Sequence, residues 1–270
     1  MITRLFLKLT DYPAFRRLIW KPVYELLAKR FRSKDWSLMN YGYAPLSDES
    51  FLTLDAADEI NRYPIQLYHY LATKVPFEGL EVLEVGSGRG GGAAYLKKYL
   101  KPKKIIGLDI AANAVKLANT YFGSTGIAFV QGSAEKLPFA NESFDVVINV
   151  ESSHTYGSVP LFLSESKRVL RKGGYLLCAD IRTTADAALF RHQMHASGLS
   201  VLLEENISDN VKRAIELEEP IKQKRIAENV PQWLQDVFKQ FAGVKGSKAH
   251  MQLANGQLIY YRFVLQKSFV

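Results

Sequence analysis

Val-Leu-Glu-Val-Gly-Ser-Gly-Arg-Gly-Gly-Gly-Ala, residues 82–93, decides how the rest of the chain is read. Residues 82–85 form a short apolar run of the kind that fills a parallel strand buried on both faces. Gly86, Ser87, Gly88, Arg89 and Gly90 follow as a turn so poor in side chains that a ligand can approach its backbone. A helix is expected over residues 91–100, with its unpaired N–H groups and positive dipole end aimed at that ligand. Taken alone, Gly86-x-Gly88-x-x-Gly91 fits a nicotinamide dinucleotide site equally well.

Two carboxylates narrow the choice. Glu84 stands two residues before Gly86, where a dinucleotide-binding strand normally stays apolar. Asp109 ends the next expected strand, where an acidic side chain can accept hydrogen bonds from ribose hydroxyls. No lysine follows the glycines in the manner of a P-loop.

From this point strands and helices alternate. Strands are expected at 80–85, 104–109, 127–131, 144–150 and 173–180, with helices between them, which calls for a doubly wound, mostly parallel sheet. A sixth strand is expected at 198–204 and a last, antiparallel one at 257–266, making seven. Residues 58–75 carry an apolar stripe (Ile60, Tyr63, Leu67, Tyr70, Leu71) at helical spacing. Residues 208–242 are charged and helical, with breaks expected at Pro220 and Pro231. The chain thus divides into an N-terminal helical arm and lid (1–75), a Rossmann-like core (76–207), a helical cap insertion (208–242) and the final core strand (243–270).

Four blocks in order resemble the class I S-adenosylmethionine-dependent methyltransferases. They are Glu84-x-Gly86-x-Gly88-x-Gly90, Gly107-Leu-Asp109, Gly132-Ser-Ala-Glu-Lys-Leu-Pro-Phe139 and Ser143-Phe-Asp-Val-Val-Ile-Asn149, followed by Arg168-Val-Leu-Arg-Lys-Gly-Gly174. The likeness extends to the bacterial lipid O-methyltransferases that act on phthiotriol and phenolphthiotriol dimycocerosates. Its carriers are Asn61-Arg-x-x-x-x-Leu-Tyr-His69, the glycines through Gly92, Asn149-Val-Glu-x-Ser-His154 and Gly243-Val-x-Gly246.

The resemblance implies S-adenosyl-L-methionine as cofactor and a hydroxyl on a large lipophilic molecule as methyl acceptor. Glu84, Gly86, Ser87, Gly88 and Gly90 would face the methionyl and ribose part of the cofactor, Asp109 its ribose and Ile110 its adenine. Ser133, Ala134 and Glu135 would meet the adenine edge, although related enzymes commonly carry aspartate where Ser133 stands. Asn149 ends the fourth strand beside the donor. His154 would take the proton from the attacking hydroxyl, since an imidazole is largely neutral and basic at cell pH. Glu151 would orient that imidazole or act as the base itself. Tyr41 and Tyr43 would cover the substrate, their rings able to face the sulfonium. No spaced His/Asp/Glu set suggests a metal, and the single cysteine, Cys178, excludes a disulfide framework.

Charge is unevenly placed. Residues 1–34 hold nine basic side chains against Asp11 and Glu25, which accounts for +7 of the formal +8. Phe6, Tyr12, Phe15, Trp20, Tyr24 and Phe31 are interleaved with them. Such an arm can lie on an anionic membrane surface, or pack as a lid with its lysines solvated. Without an apolar run of membrane-spanning length or a leader, a cytoplasmic enzyme is expected. Positive charge confined to one arm, and a fourth strand ending Asn149-Val-Glu-Ser, argue against a nucleic-acid partner. Methylation of a fatty-acid carboxylate or of a sterol or quinone carbon, and a non-catalytic cofactor-binding module, remain as alternatives.

Overall fold

A computed structural model describes Glu25, Lys29 and residues 33–47 and 52–269. Most of the basic arm, 1–34, therefore lies outside the described residues. Helix α1 (Arg62–Ala72) buries Leu67 and Leu71 and leads to strand β1 (Glu81–Val85). Then come α2 (Gly91–Tyr95), β2 (Lys104–Asp109), α3 (Ala112–Phe122), β3 (Ala128–Gln131), β4 (Phe144–Val150) and α4 (Val159–Val169). Strand β5 (Leu170–Thr183), α5 (Thr184–His195) and β6 (Ser200–Asn206) complete the alternation. Helices α6 (Ser208–Asn229), α7 (Gln232–Phe241) and α8 (Lys248–Ala254) precede β7 (Leu258–Gln266).

The seven strands lie in the order β3-β2-β1-β4-β5-β7-β6, with β7 antiparallel to both its neighbours and the other described pairings parallel. The strand order reverses between β1 and β4, so their carboxyl ends frame the crevice in which ligands of open α/β sheets bind. Every residue of β1 after Glu81 is buried, as its unbroken apolar run requires apart from Glu84. Among the described residues, no helix is long and apolar enough to cross a membrane.

Two local expectations are corrected. The helix after the glycine turn keeps α geometry only to Tyr95 and continues as a π-helix, Leu96–Leu100. Helix α6 runs unbroken through Pro220 and ends before Pro231. Pro220 is exposed, so the carbonyl that lacks an amide partner there faces solvent. Packing of Val211, Ala214 and Ile215 on one side and Ile226 on the other holds both halves in line.

Residues 33–47 form a strap across the carboxyl ends of the strands. Its anchors are backbone bonds: the Gly91 N–H donates to Ser37 O, Tyr43 N–H to Tyr63 O, and Ala44 N–H to Asn210 O. The strap therefore ties α2, α1 and α6 together above the sheet.

Candidate active site

The glycine turn is pinned to β2. Gly86 and Ser87 N–H groups both donate to Leu108 O, and the Gly88 N–H donates to Asp109 Oδ2 at 2.8 Å. The other Asp109 oxygen accepts from the Ala111 N–H at 2.9 Å. Burial pushes the Asp109 carboxyl up from its ordinary value, against these amide bonds. Gly88 has φ +52, and a Cβ there would touch only Met39 Cε at 3.6 Å, so the backbone is open to a ligand beneath Met39. Glu25 accepts from the Ala112 and Asn113 N–H groups and so caps α3, beside the end of β2.

Gly86, Ser87, Gly88, Asp109 and Glu151 line one cavity, closed from above by Ser37, Leu38, Met39 and Asn40 of the strap. Arg89, Tyr68, Ser152 and Thr155 complete its wall. Three polar atoms in or beneath this wall have no hydrogen-bond partner: Ser87 Oγ, Glu84 Oε2 and Arg89 Nε. Arg89 is only 2% exposed, and burial pulls its guanidinium down to about 10. Unmet buried donors and acceptors around an open glycine backbone fit a zwitterionic nucleoside such as S-adenosyl-L-methionine, whose carboxylate and amine would supply the missing partners.

Glu84 lies under the turn, fully buried, and accepts from the Tyr68 hydroxyl at 2.6 Å. Burial pushes its carboxyl up to about 8, against the bonds from Tyr68 and the Ala93 backbone. Asn149 donates to Val85 O and to the Tyr156 hydroxyl, joining β1 to the segment after β4.

Other expected residues are not brought to this cavity. Ser133 Oγ accepts from the Glu135 N–H at 3.3 Å, and Ala134 is packed in the core. Glu135 accepts from the Ser158 N–H at 2.9 Å, at the start of α4. Ile110 is half-buried, and its carbonyl accepts from Gln131. Tyr43 is buried and stacks on Tyr70 at 4.0 Å, so its ring belongs to the core rather than to the ligand. Tyr41 lines a second cavity, between the strap and α6.

The roles of Glu151 and His154 are also redistributed. Glu151 sits at φ +48 and accepts from the Tyr41 N–H at 2.9 Å and the Tyr260 hydroxyl at 3.1 Å. Burial pushes its carboxyl up to about 8, against those two bonds. It does not orient His154; Asp180, near the end of β5, does. Asp180 Oδ1 meets His154 Nδ1 at 2.8 Å, and Oδ2 accepts from the His154 N–H at 2.9 Å and from Ser153 Oγ at 2.5 Å.

Burial alone would raise the Asp180 carboxyl, but Arg182 at 3.2 Å, then His154 and Ser153, outweigh it and hold it far below the usual carboxylate range. Arg182 is itself fixed over the Phe190 ring at 3.8 Å. An ionised carboxylate can only accept, which places the imidazole proton on Nδ1 and the basic lone pair on Nε2. His154 is half-buried just outside the donor cavity, flanked by two of its lining residues, Ser152 and Thr155.

Asp180, Arg89, Tyr68 and Tyr260 were not singled out from the sequence. Asp180 and Arg182 have a trace there: two charges of opposite sign directly after the apolar run Tyr175-Leu-Leu-Cys-Ala179.

The family described as "Methyltransferase domain" matches residues 83–178, which span β1 to β5. The phthiotriol/phenolphthiotriol dimycocerosates methyltransferase of Mycobacterium leprae is 36% identical over 262 residues, covering 97% of each chain. A fatty-acid O-methyltransferase of Mycolicibacterium smegmatis is 34% identical, covering 90% of this chain and 89% of the relative. The cyclopropane synthase MmaA2 from Mycobacterium tuberculosis shares the fold, with a TM-score of 0.68 at 14% identity over 90% of this chain and 95% of its own. With this identity sustained over nearly its full length, the chain belongs to the methyltransferase family that includes the phthiotriol/phenolphthiotriol dimycocerosates enzymes.

Proposed function

We propose that this methyltransferase moves a methyl group from S-adenosyl-L-methionine to a hydroxyl of a large lipophilic acceptor. The observation that carries the acceptor chemistry is the His154–Asp180 pair, which prepares an imidazole with a basic Nε2 beyond the ends of β4 and β5. An alcohol is a weak nucleophile until its proton begins to leave, whereas a carboxylate needs no base.

S-adenosyl-L-methionine supplies, when bound, a methyl group already activated on a sulfonium. Gly88, Asp109, Arg89 and Glu84 would hold it. The remaining task of the chain is alignment and exclusion of water, for which the strap and the cap formed by residues 208–242 serve. His154 Nε2 accepts the hydroxyl proton as the new carbon–oxygen bond forms. The basic residues 1–34 would keep such an acceptor near an anionic membrane surface.

His154→Ala tests the assignment. Turnover of an alcohol acceptor is expected to fall about 10²–10⁴-fold, with cofactor affinity nearly unchanged. Retention of most activity would move the base elsewhere, with Glu151 next in line. A second reading, methylation of a fatty-acid carboxylate, is favoured by the Mycolicibacterium smegmatis relative. In that case the same substitution would leave turnover of a fatty acid close to wild type.

A further inference from the structure

Helix α3 is capped from a distant part of the chain. Its N-cap, Ala111, has no side-chain acceptor, and no acidic residue stands in its first turn. Glu25 of the N-terminal arm, 87 positions before Ala112, supplies what is missing. Its Oε1 accepts from the Ala112 N–H at 2.7 Å and its Oε2 from the Asn113 N–H at 2.9 Å. The Asn113 side-chain amide donates back to the Glu25 carbonyl at 3.5 Å. Asp109 Oδ1 holds the preceding amide, Ala111 N–H, at 2.9 Å. Two carboxylates from opposite ends of the sequence thus fill three successive amides of one helix N-terminus.

A helix end of this kind attracts anions, because its free N–H groups and its dipole both favour negative charge. It also borders the ligand: Ala114, in the same turn, lines the donor cavity together with Asp109. A ribose held by Asp109 would present its hydroxyl edge to this turn. A phosphate on that edge would find the amides already covered by Glu25, and would stand beside two carboxylates. These two groups act on each other: burial pushes the Asp109 carboxyl up, and the Glu25 charge adds to the rise. The glycine turn cannot make this selection, since Gly86-x-Gly88-x-x-Gly91 suits dinucleotides equally well.

We infer that Glu25 is a specificity-determining residue: by occupying the Ala112 and Asn113 N–H groups it excludes nucleotides with phosphate on the adenosine ribose, and leaves the crevice to adenosyl ligands with free hydroxyls. The inference rests on Asp109 holding the ribose. Its consequence is a gain of binding, which the loss of a purely structural cap would not produce. Adenosine and adenosine 2′-monophosphate would be compared on the full chain by displacement of labelled S-adenosylhomocysteine. Wild type is expected to prefer adenosine by about tenfold or more, the scale of one hydrogen bond to a charged group. In Glu25→Ala the 2′-monophosphate should tighten by about 10–100-fold, because two donors are freed and one repelling charge is gone, while adenosine shifts far less. Glu25→Gln keeps an acceptor at the helix end and should gain less.

Equal binding of the two ligands by wild type, or no tightening of the 2′-monophosphate in a Glu25 variant that still binds the label, overturns the proposal. Glu25→Gln decides the matter if Glu25→Ala no longer binds the label. Asp109→Ala, assayed with the same ligands, separates the two readings. Adenosine bound as tightly as by wild type would defeat the placement of the ribose on Asp109. Weakened adenosine there, with no phosphate gain at Glu25, would defeat the role of Glu25 alone.

Discussion

The Tyr41 backbone N–H donates to Glu151 Oε2 at 2.9 Å, joining the strap to the residue that follows β4. Strap and transfer site are therefore coupled through one buried carboxylate, which also receives the Tyr260 hydroxyl from the antiparallel strand β7. Glu151→Ala removes both acceptor contacts. Hydrogen exchange at the Tyr41 amide is expected to accelerate by about fivefold, the scale of one lost hydrogen bond to a neutral carboxyl. Unchanged exchange in a folded variant would mean that the remaining strap bonds hold it without Glu151.

Glu84 titrates in a window that matters for the cofactor. Its carboxyl is pushed up to about 8 by burial, so at neutral pH the ligand-free protein carries it largely protonated. A cationic donor favours the ionised form, so binding near neutral pH should release a proton to the buffer. Calorimetry in two buffers of different ionisation heat would show this as a difference in apparent enthalpy. Glu84→Gln should abolish most of the difference, and it should vanish in wild type well above pH 8. A buffer-independent enthalpy at neutral pH would contradict this coupling.

The same shifts set the stability of the ligand-free protein. Between the ordinary carboxylate value of 4.5 and about 8, folded Glu84 and Glu151 hold protons that the unfolded chain has lost. Stability should therefore fall as pH rises through that window and level off above it. Asp180 works in the opposite sense: its depressed carboxyl contributes stability above its ordinary value of 3.8 that is lost only on strong acidification. Thermal melts of wild type and Glu151→Gln from pH 5 to 9 check the first sign, the variant being expected to show the shallower decline. A melting temperature that rises across this range would contradict it.

Asp109 both orders the turn, through the Gly88 and Ala111 N–H groups, and stands where ribose hydroxyls would bind. Asp109→Ala should weaken S-adenosylmethionine by roughly 1.5–3 kcal/mol per lost bond. Calorimetric titration measures it. Unchanged affinity, or tighter binding of a nicotinamide dinucleotide, would reject this assignment of the crevice.

The sheet was legible because its central strands are buried on both faces and read as unbroken apolar runs, such as Val146-Val147-Ile148 in β4. Glu84 and Asp109 were legible because each breaks such a run at a strand end. What escaped is non-local. Nothing near His154 marks Asp180, which is 26 residues away and is brought alongside by β5 pairing with β4. Tyr43 was aromatic and near the site in sequence, but stacking on Tyr70 turned it inward. The rule that places a helix break at Pro220 is local, whereas contacts of α6 with the core and exposure of Pro220 let the helix continue.

Methyl transfer to a lipid hydroxyl can be followed through the methyl group itself. Purified protein would be incubated with isotopically labelled S-adenosylmethionine and a lipid extract, and the products analysed by mass spectrometry before and after alkaline hydrolysis. Label is expected on a neutral lipid as a methyl ether, which survives alkali, and is expected to be almost completely lost with His154→Ala. Label released by alkali as a methyl ester, or lipid left unlabelled while other molecules are methylated, would contradict it.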